Sequence, residues 1–305
     1  MKKVLILNHK HIECGVYQIA VRIFKIASQS KKINYSYAEV SDRREFNTAI
    51  YDHRPDYIIY NYHWDRMPWL RDADILLNKK IKHYFIYHDG SMMTTYDKYL
   101  FFGAFDPQGT DVSQDKRILL PRPIYRYSGY YPTNDLPTIG SFGFAFNHKK
   151  FHAIAPYVGS QFDKAVVNLH FTNPYFGDTP GNRIADIIDL CYGVCPQNVK
   201  LNITTNFMDD NAAMTFLAGN DINLFLYDTA LQNPGISSAI DYALSVRRPI
   251  AISNNMMFRH IASDDILIEK NTIKNIINRG TDPLERFYTD WSPEKFTDAM
   301  ENLFI

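Results

Sequence analysis

Residues 221–253 read DINLFLYDTALQNPGISSAIDYALSVRRPIAIS, and this stretch decides the fold. Ile222, Leu224 and Leu226 stand in a β-rich run that ends at Tyr227 and Asp228, and a polar loop broken by Pro234 and Gly235 follows. Ile236, Ala239, Ile240, Ala243 and Leu244 then recur at spacings of three and four, the apolar stripe of a helix laid on a sheet. Arg247 and Arg248 close the helix, and Pro249 stops it before a strand over 250–253. The stretch therefore predicts a βαβ unit. Ser237 and Ser238 fall in the first turn of the predicted helix, where unpaired N–H groups and the positive dipole end favour an anion. A phosphate site is expected there, at the carboxyl end of the first strand.

The rest of the chain repeats the alternation. Strands are expected at 4–7, 33–40, 56–62, 83–87, 99–102 and 118–120, with helices over 16–27, 44–53 and 70–78. Residues 125–137, with Gly129, Pro132 and Pro137 and no periodicity, read as a linker. A second series follows, with strands at 138–144, 165–171 and 199–204 and helices at 151–158, 182–192 and 211–217, the last capped by Asp209 or Asp210. Beyond the opening stretch, a helix is expected at 254–261 and a strand at 266–269. Terminal helices are expected at 283–288 and 293–304, the second with Ser292 as its cap. The pattern predicts an α/β protein. Domains are expected at 1–130 and 131–285, with a terminal helix at 286–305.

Composition narrows the function. With 305 residues and a 46% apolar fraction the chain has room for two cores. Thirty-three basic side chains balance 33 acidic ones, so overall charge predicts no strong attraction to nucleic acid or membrane. Twenty-one tyrosines suit a surface that handles carbohydrate, and equally a tyrosine-rich core. Cys14, Cys191 and Cys195 form no CxxC pair, and no apolar run reaches 18 residues, which together predict a cytoplasmic protein without a membrane span. His9 and His11 lack the further ligands of a zinc set, and Asp72-Ala73-Asp74 precedes an apolar helical run, as a helix cap does. No metal site is expected. Signatures of P-loop, serine-triad and zincin chemistry are absent.

The opening stretch resembles the donor-binding segment of GT-B-fold glycosyltransferases of the retaining, family-four-like group, as a divergent member. There a carboxylate, seven residues and a second carboxylate precede an alanine-containing turn and a strand. Here the frame is Asn233, seven residues, Asp241, then Tyr242-Ala243-Leu244 and Arg248-Pro249-Ile250. The resemblance implies two Rossmann-like domains facing across a cleft, with the terminal helix at 286–305 crossing back to the first domain. It implies that Asp241 holds ribose hydroxyls. Asn233 stands where the first acid contacts the donor sugar, and an amide there hydrogen-bonds without supplying charge. Gly235, Ile236, Ser237 and Ser238 would meet the donor phosphates. In the first half Gly15 resembles the glycine of the first loop, and His88-Asp89 resembles the His-Asp segment that faces the donor sugar. In the second half Lys149 lies at the family's lysine position counted from Gly143, while Phe144 occupies the arginine position, with His148 or Lys150 near enough in sequence to compensate. His63 and Trp64, at the end of the third strand, are candidates for the acceptor; Trp64 reads equally as packing for a neighbouring loop.

The function this implies is transfer of a sugar from a nucleotide-diphosphate donor to an acceptor hydroxyl, a hexosyl or pentosyl transfer. The resemblance adds retention of configuration and independence of metal and cofactor, the nucleotide sugar being a co-substrate. Were the reaction inverting, Glu13, His88 and Asp89 would be candidate bases. Alternatives at this level are an inactive sugar-binding protein of the same fold, an epimerase of nucleotide sugars, and a transferase that glycosylates modified DNA bases, with nucleic acid only as acceptor. Asn233 and Phe144 favour the first.

Overall fold

A computed structural model of the chain describes residues 1–88, 96–103, 113–173, 183–228 and 235–304. The chain divides into two compact units. The first comprises Met1–Ile124, Asn233–Gly235 and Asp290–Ile305, and the second Tyr125–Gln232 and Ile236–Thr289. No helix among the described residues is long and apolar enough to cross a membrane.

The first unit is built on β1 (Lys2–Asn8), β2 (Ile33–Glu39), β3 (Tyr57–Tyr60), β4 (Lys82–Ile86), β5 (Lys98–Phe102) and β6 (Arg117–Leu120), with α1 (Gly15–Ala27), α2 (Arg43–His53) and α3 (Asp72–Leu76) in the connections. Its sheet runs β2-β1-β3-β4-β5-β6, and the pairings are parallel. Parallel strands are covered on both faces, so they read as unbroken apolar runs, and Val4, Leu5, Ile6 and Leu7 are all fully buried. The Asp-x-Asp run acts as a cap: the Asp74 carboxylate accepts the Arg71 N–H at 3.0 Å and pairs with Arg43 at 2.7 Å.

The second unit is built on β7 (Thr138–Phe144), β8 (Ala165–Thr172), β9 (Val199–Thr204), β10 (Ile222–Phe225) and β11 (Ile250–Ile252), with α4 (Phe151–Gly159), α5 (Ile184–Gly193), α6 (Asp210–Ala218) and α7 (Ala239–Ser245) between them. The sheet runs β11-β10-β7-β8-β9, again parallel. Ile154 and Val158 of α4 join Val167, Leu169, Ile222 and Leu224 in one core, and the Phe151 and Phe171 rings meet at 4.7 Å. Asp209, not Asp210, caps α6 by accepting the Ala212 N–H at 2.8 Å. Asp209→Ala is expected to cost about 1 kcal/mol in urea unfolding, the ordinary value of such a cap.

Four expectations need correction. The helix of the opening stretch begins at Ala239, not near Ile236, so Ser238 is its flanking residue and Ser237 lies outside it. Residues 254–261 hold only a 3-10 turn, Met256–Phe258, which Asn255 caps through the Met257 N–H. Residues 266–269 make a single bridge, Ile252 to Leu267, because three-residue β11 offers no length for a ladder. The helix expected at 283–288 is a 3-10 turn, Asp282–Leu284, running into α9 (Glu285–Asp290). A helix not foreseen, α8 (Ile273–Arg279), is capped by Thr272 and buries Ile273 and Ile276. The chain ends in α10 (Pro293–Asn302), with Ser292 accepting the Lys295 N–H, and this helix counts with the first unit.

Candidate functional site

In an open parallel sheet, ligands bind beyond the carboxyl ends of the strands where the strand order reverses. Each unit has one such point. In the first, the chain leaves β1 for β2 on one side and returns to β3 on the other, so the reversal lies between β1 and β3. In the second it lies between β7 and β10.

At the first point β1 ends in Asn8 and β3 is followed by Asn61, two fully buried amides at the ends of apolar runs. Asn61 donates to Asn8 Oδ1 at 2.7 Å and to the Val16 carbonyl at 2.8 Å, and its Oδ1 lies 2.7 Å from His88 Nε2. Burial first, and then electrostatic repulsion from Arg122, His63 and His9 toward a protonated ring, push the His88 imidazole down to about 3. His9, only 1% exposed, packs its ring 5.9 Å from that of His63 and 5.8 Å from that of Tyr17. Burial and the same kind of neighbours take it to about 3 as well. Both rings are therefore neutral at pH 7. His63 stacks on Trp64 at 6.2 Å, and Trp64 is 57% exposed, so it does not pack under a loop. Gly15 opens α1, whose first turn carries no acidic residue. A Cβ on Gly235 would sit 3.1 Å from the His88 carbonyl oxygen. Among the described residues no three His, Cys, Asp or Glu side chains are grouped to hold a metal ion.

At the second point β7 ends in Phe144. A 3-10 turn, Asn147–Lys149, then turns the chain back so that Lys149 is buried to 8%. Its Nζ lies 5.8 Å from the Phe144 ring centre, 5.7 Å from that of Phe146 and 5.5 Å from that of Tyr227. Among the described residues no carboxylate and no hydrogen-bond acceptor is paired with this ammonium. Burial alone brings it down to about 7 from 10.5. Gly143 has φ 154, and a Cβ there would stand 2.7 Å from Nζ, so its lack of a side chain makes room for the lysine. Phe144 is one wall of this cage and brings no charge. Neither proposed compensator supplies it: burial and Lys149 push His148 down to about 4, and Lys150 pairs with Asp228 at 3.3 Å.

Tyr227 joins the cage to Ser237, its hydroxyl lying 3.1 Å from Ser237 Oγ. The structure thus brings Gly143, Lys149 and Ser237 together around Tyr227. Ser237 is not the phosphate ligand expected from a helix first turn, since its N–H donates to the Met257 carbonyl at 3.0 Å. Asp241 is fully buried within α7, and Ser238 and Ile236 are half-buried. Asp89 and Asn233 lie outside the described residues. Sequence reasoning missed Asn8, His9, Asn61, Phe146 and Tyr227. A polar residue closing an apolar strand was the available signal for Asn8 and Asn61; for the aromatic wall there was none.

No protein-family model matches the chain, and no curated protein matches it by sequence. Solved structures do. HepE of Anabaena, in complex with UDP-glucose, aligns over 99% of this chain and 99% of its own at 12% identity, with a TM-score of 0.63. The lipopolysaccharide outer core galactosyltransferase WaaB aligns over 100% of both chains at 12% identity and 0.60. AviGT4, a glycosyltransferase involved in avilamycin A biosynthesis, aligns over 99% and 98% at 9% identity and 0.63. The chain has the GT-B fold. In GT-B terms the two reversal points are the carboxyl-end faces of its two Rossmann-like sheets, and each carries one of the clusters described above.

Proposed function

We propose that this protein is a glycosyltransferase that takes a sugar from a nucleotide-diphosphate donor to an acceptor hydroxyl, with retention of configuration and without a metal. One observation carries the reading: Lys149 is an ammonium buried among three rings, with no counter-ion among the described residues, at the strand-order reversal of a GT-B unit. Burying a charge without a partner is costly, and a bound anion removes the cost. A diphosphate is the anion proposed. As the nucleotide diphosphate departs, negative charge grows on its β-phosphate, and a fixed ammonium in a dry site stabilises that charge without reorganising. Such a lysine does the work a divalent ion does elsewhere. His88, pushed down to about 3, is a poor base, which leaves Glu13 and Asp89 as the candidates were the reaction inverting. His88, His63 and Trp64 are assigned to sugar and acceptor, and Asp241 to the donor's ribose.

HepE binds UDP-glucose, so UDP and UDP-glucose head the trial set of nucleoside diphosphates and their sugars. In a thermal-shift screen a preferred donor at about a hundred times its Kd stabilises by about 2.7 kcal/mol. No stabilisation by any nucleotide sugar would remove the reading. Phe144 at the position of a family cation favours a second reading, binding without transfer. Release of free nucleoside diphosphate on adding acceptor decides between them.

The lysine also sets a pH dependence. Free Lys149 loses its proton near pH 7, and a bound diphosphate raises that value. Above pH 7 binding must take up a proton, so the Kd for UDP is expected to rise roughly tenfold per pH unit from about 7.5 to 8.5. Calorimetry in buffers of different ionisation enthalpy should show up to one proton taken up at pH 8. Proton release, or a flat Kd, would sink the assignment.

A further inference from the structure

The hydrogen bonds around His88 have only one consistent direction, and that direction starts at groups that cannot reverse. The Glu39 carboxylate accepts from Tyr17 Oη–H at 2.6 Å and Tyr37 Oη–H at 3.2 Å, which leaves the Tyr37 oxygen to accept. Asn8 donates to that oxygen at 2.9 Å and to the Tyr17 carbonyl at 3.1 Å, so its amide nitrogen faces them. Its Oδ1 must then accept, and it does so from the His9 N–H at 3.0 Å and from Asn61 at 2.7 Å. Asn61 spends its other amide hydrogen on the Val16 carbonyl, so its Oδ1 faces His88 Nε2. An amide oxygen only accepts. Nε2 therefore carries the imidazole proton, and Nδ1 is a bare lone pair on a ring that is half-buried. His9 has the same tautomer but its other nitrogen is engaged: the His11 N–H donates to its Nδ1 at 3.1 Å, so its Nε2 holds a proton, and that buried atom has no partner.

We infer that Asn61, oriented by Asn8, is a positioning residue that fixes His88 as a hydrogen-bond acceptor, so that this subsite admits only a ligand group able to donate, a free sugar hydroxyl. The inference rests on the sugar-transfer reading only in naming the group a sugar hydroxyl. A carboxylate, a phosphate oxygen or a fluorine at that position meets the Nδ1 lone pair with another lone pair and is rejected. Neutral imidazoles at pH 7 agree with this arrangement.

Two measurements test it. The first needs no substrate: nitrogen-15 NMR of histidine-labelled full-length protein at pH 7, with the His88 signals assigned by comparison with His88→Gln. The expected spectrum shows His88 neutral with its proton on Nε2. In Asn61→Leu the two tautomers should mix, and the ring, having lost the acceptor that favours its charged form, should titrate no higher than in the unaltered protein. A proton on Nδ1, or a charged ring, in the unaltered protein overturns the inference, whether or not the variant folds. The second is steady-state turnover with UDP-glucose and its analogues bearing fluorine in place of one hydroxyl at a time. One analogue should lose roughly 100-fold or more in kcat/KM, and Asn61→Leu should narrow that gap. Equal use of every analogue overturns the ligand half of the inference. Absence of turnover with all nucleotide sugars sinks the transferase reading instead, and the NMR result alone then decides the role of Asn61.

Discussion

Lys149→Met is expected to make the protein more stable and, in the same variant, to lower turnover roughly 10²–10³-fold. The unfolded lysine holds its proton up to about pH 10.5, and the folded one only up to about pH 7. Between those values the unfolded chain binds more protons, so stability rises with pH across that window, and below pH 7 the whole cost of the buried charge is present. At about 1.4 kcal/mol for each tenfold, a fall from 10.5 to about 7 amounts to roughly 4–5 kcal/mol. Local relaxation lowers what is recovered to roughly 2–4 kcal/mol. Methionine keeps the length and the contacts with Phe144, Phe146 and Tyr227 and removes the charge. The gain in urea unfolding should be full at pH 7 and fade toward pH 10. A structural lysine would behave the other way, with stability falling and kcat per folded molecule unchanged; that pattern would end its assignment to the diphosphate.

Phe304→Ala is expected to cost the first unit about 3–5 kcal/mol, the range of a fully buried aromatic cut back to a methyl group. Its ring is 2% exposed and lies 4.8 Å from that of Tyr57, 5.6 Å from that of Tyr84 and 6.2 Å from that of Tyr35. Three strands of one sheet thus lean on one side chain carried in by α10. Glu301, bonded to Ser30 at 2.7 Å and paired with Lys32 at 2.7 Å, holds the same helix in place. Truncation leaves a cavity under β2, β3 and β4 and removes aromatic pairs worth about 0.5–1.5 kcal/mol each. Phe304→Leu should recover much of the loss. Urea unfolding that shows less than 1 kcal/mol for the alanine variant would mean the tail does not hold the sheet.

The element order was legible because parallel strands and their covering helices write different periods into the chain. The run VLIL at 4–7 and the stripe of Ile19, Ala20, Ile23 and Ala27 leave little choice. Reading failed where a short element is held by partners distant in sequence. The strand expected at 266–269 became one bridge, and the first turn of α7 slid past Ser237 because that N–H is taken by Met257. Lys149 was legible as a position, counted from Gly143. The aromatic cage around its ammonium was not, because the ring of Tyr227 that faces it comes from the segment after another strand, β10.

The sequence by itself determined two parallel α/β units, the places where their strands end, and a lysine and a histidine at two of those ends. Periodicity and strand-end chemistry are local, so a single chain displays them. Only the tertiary structure decided the chemical state of those residues: a lysine enclosed by three rings and a histidine with one tautomer. Proton position and charge depend on what surrounds a group, and for His88 the deciding link joins Asn61 to Asn8 across 53 positions of chain.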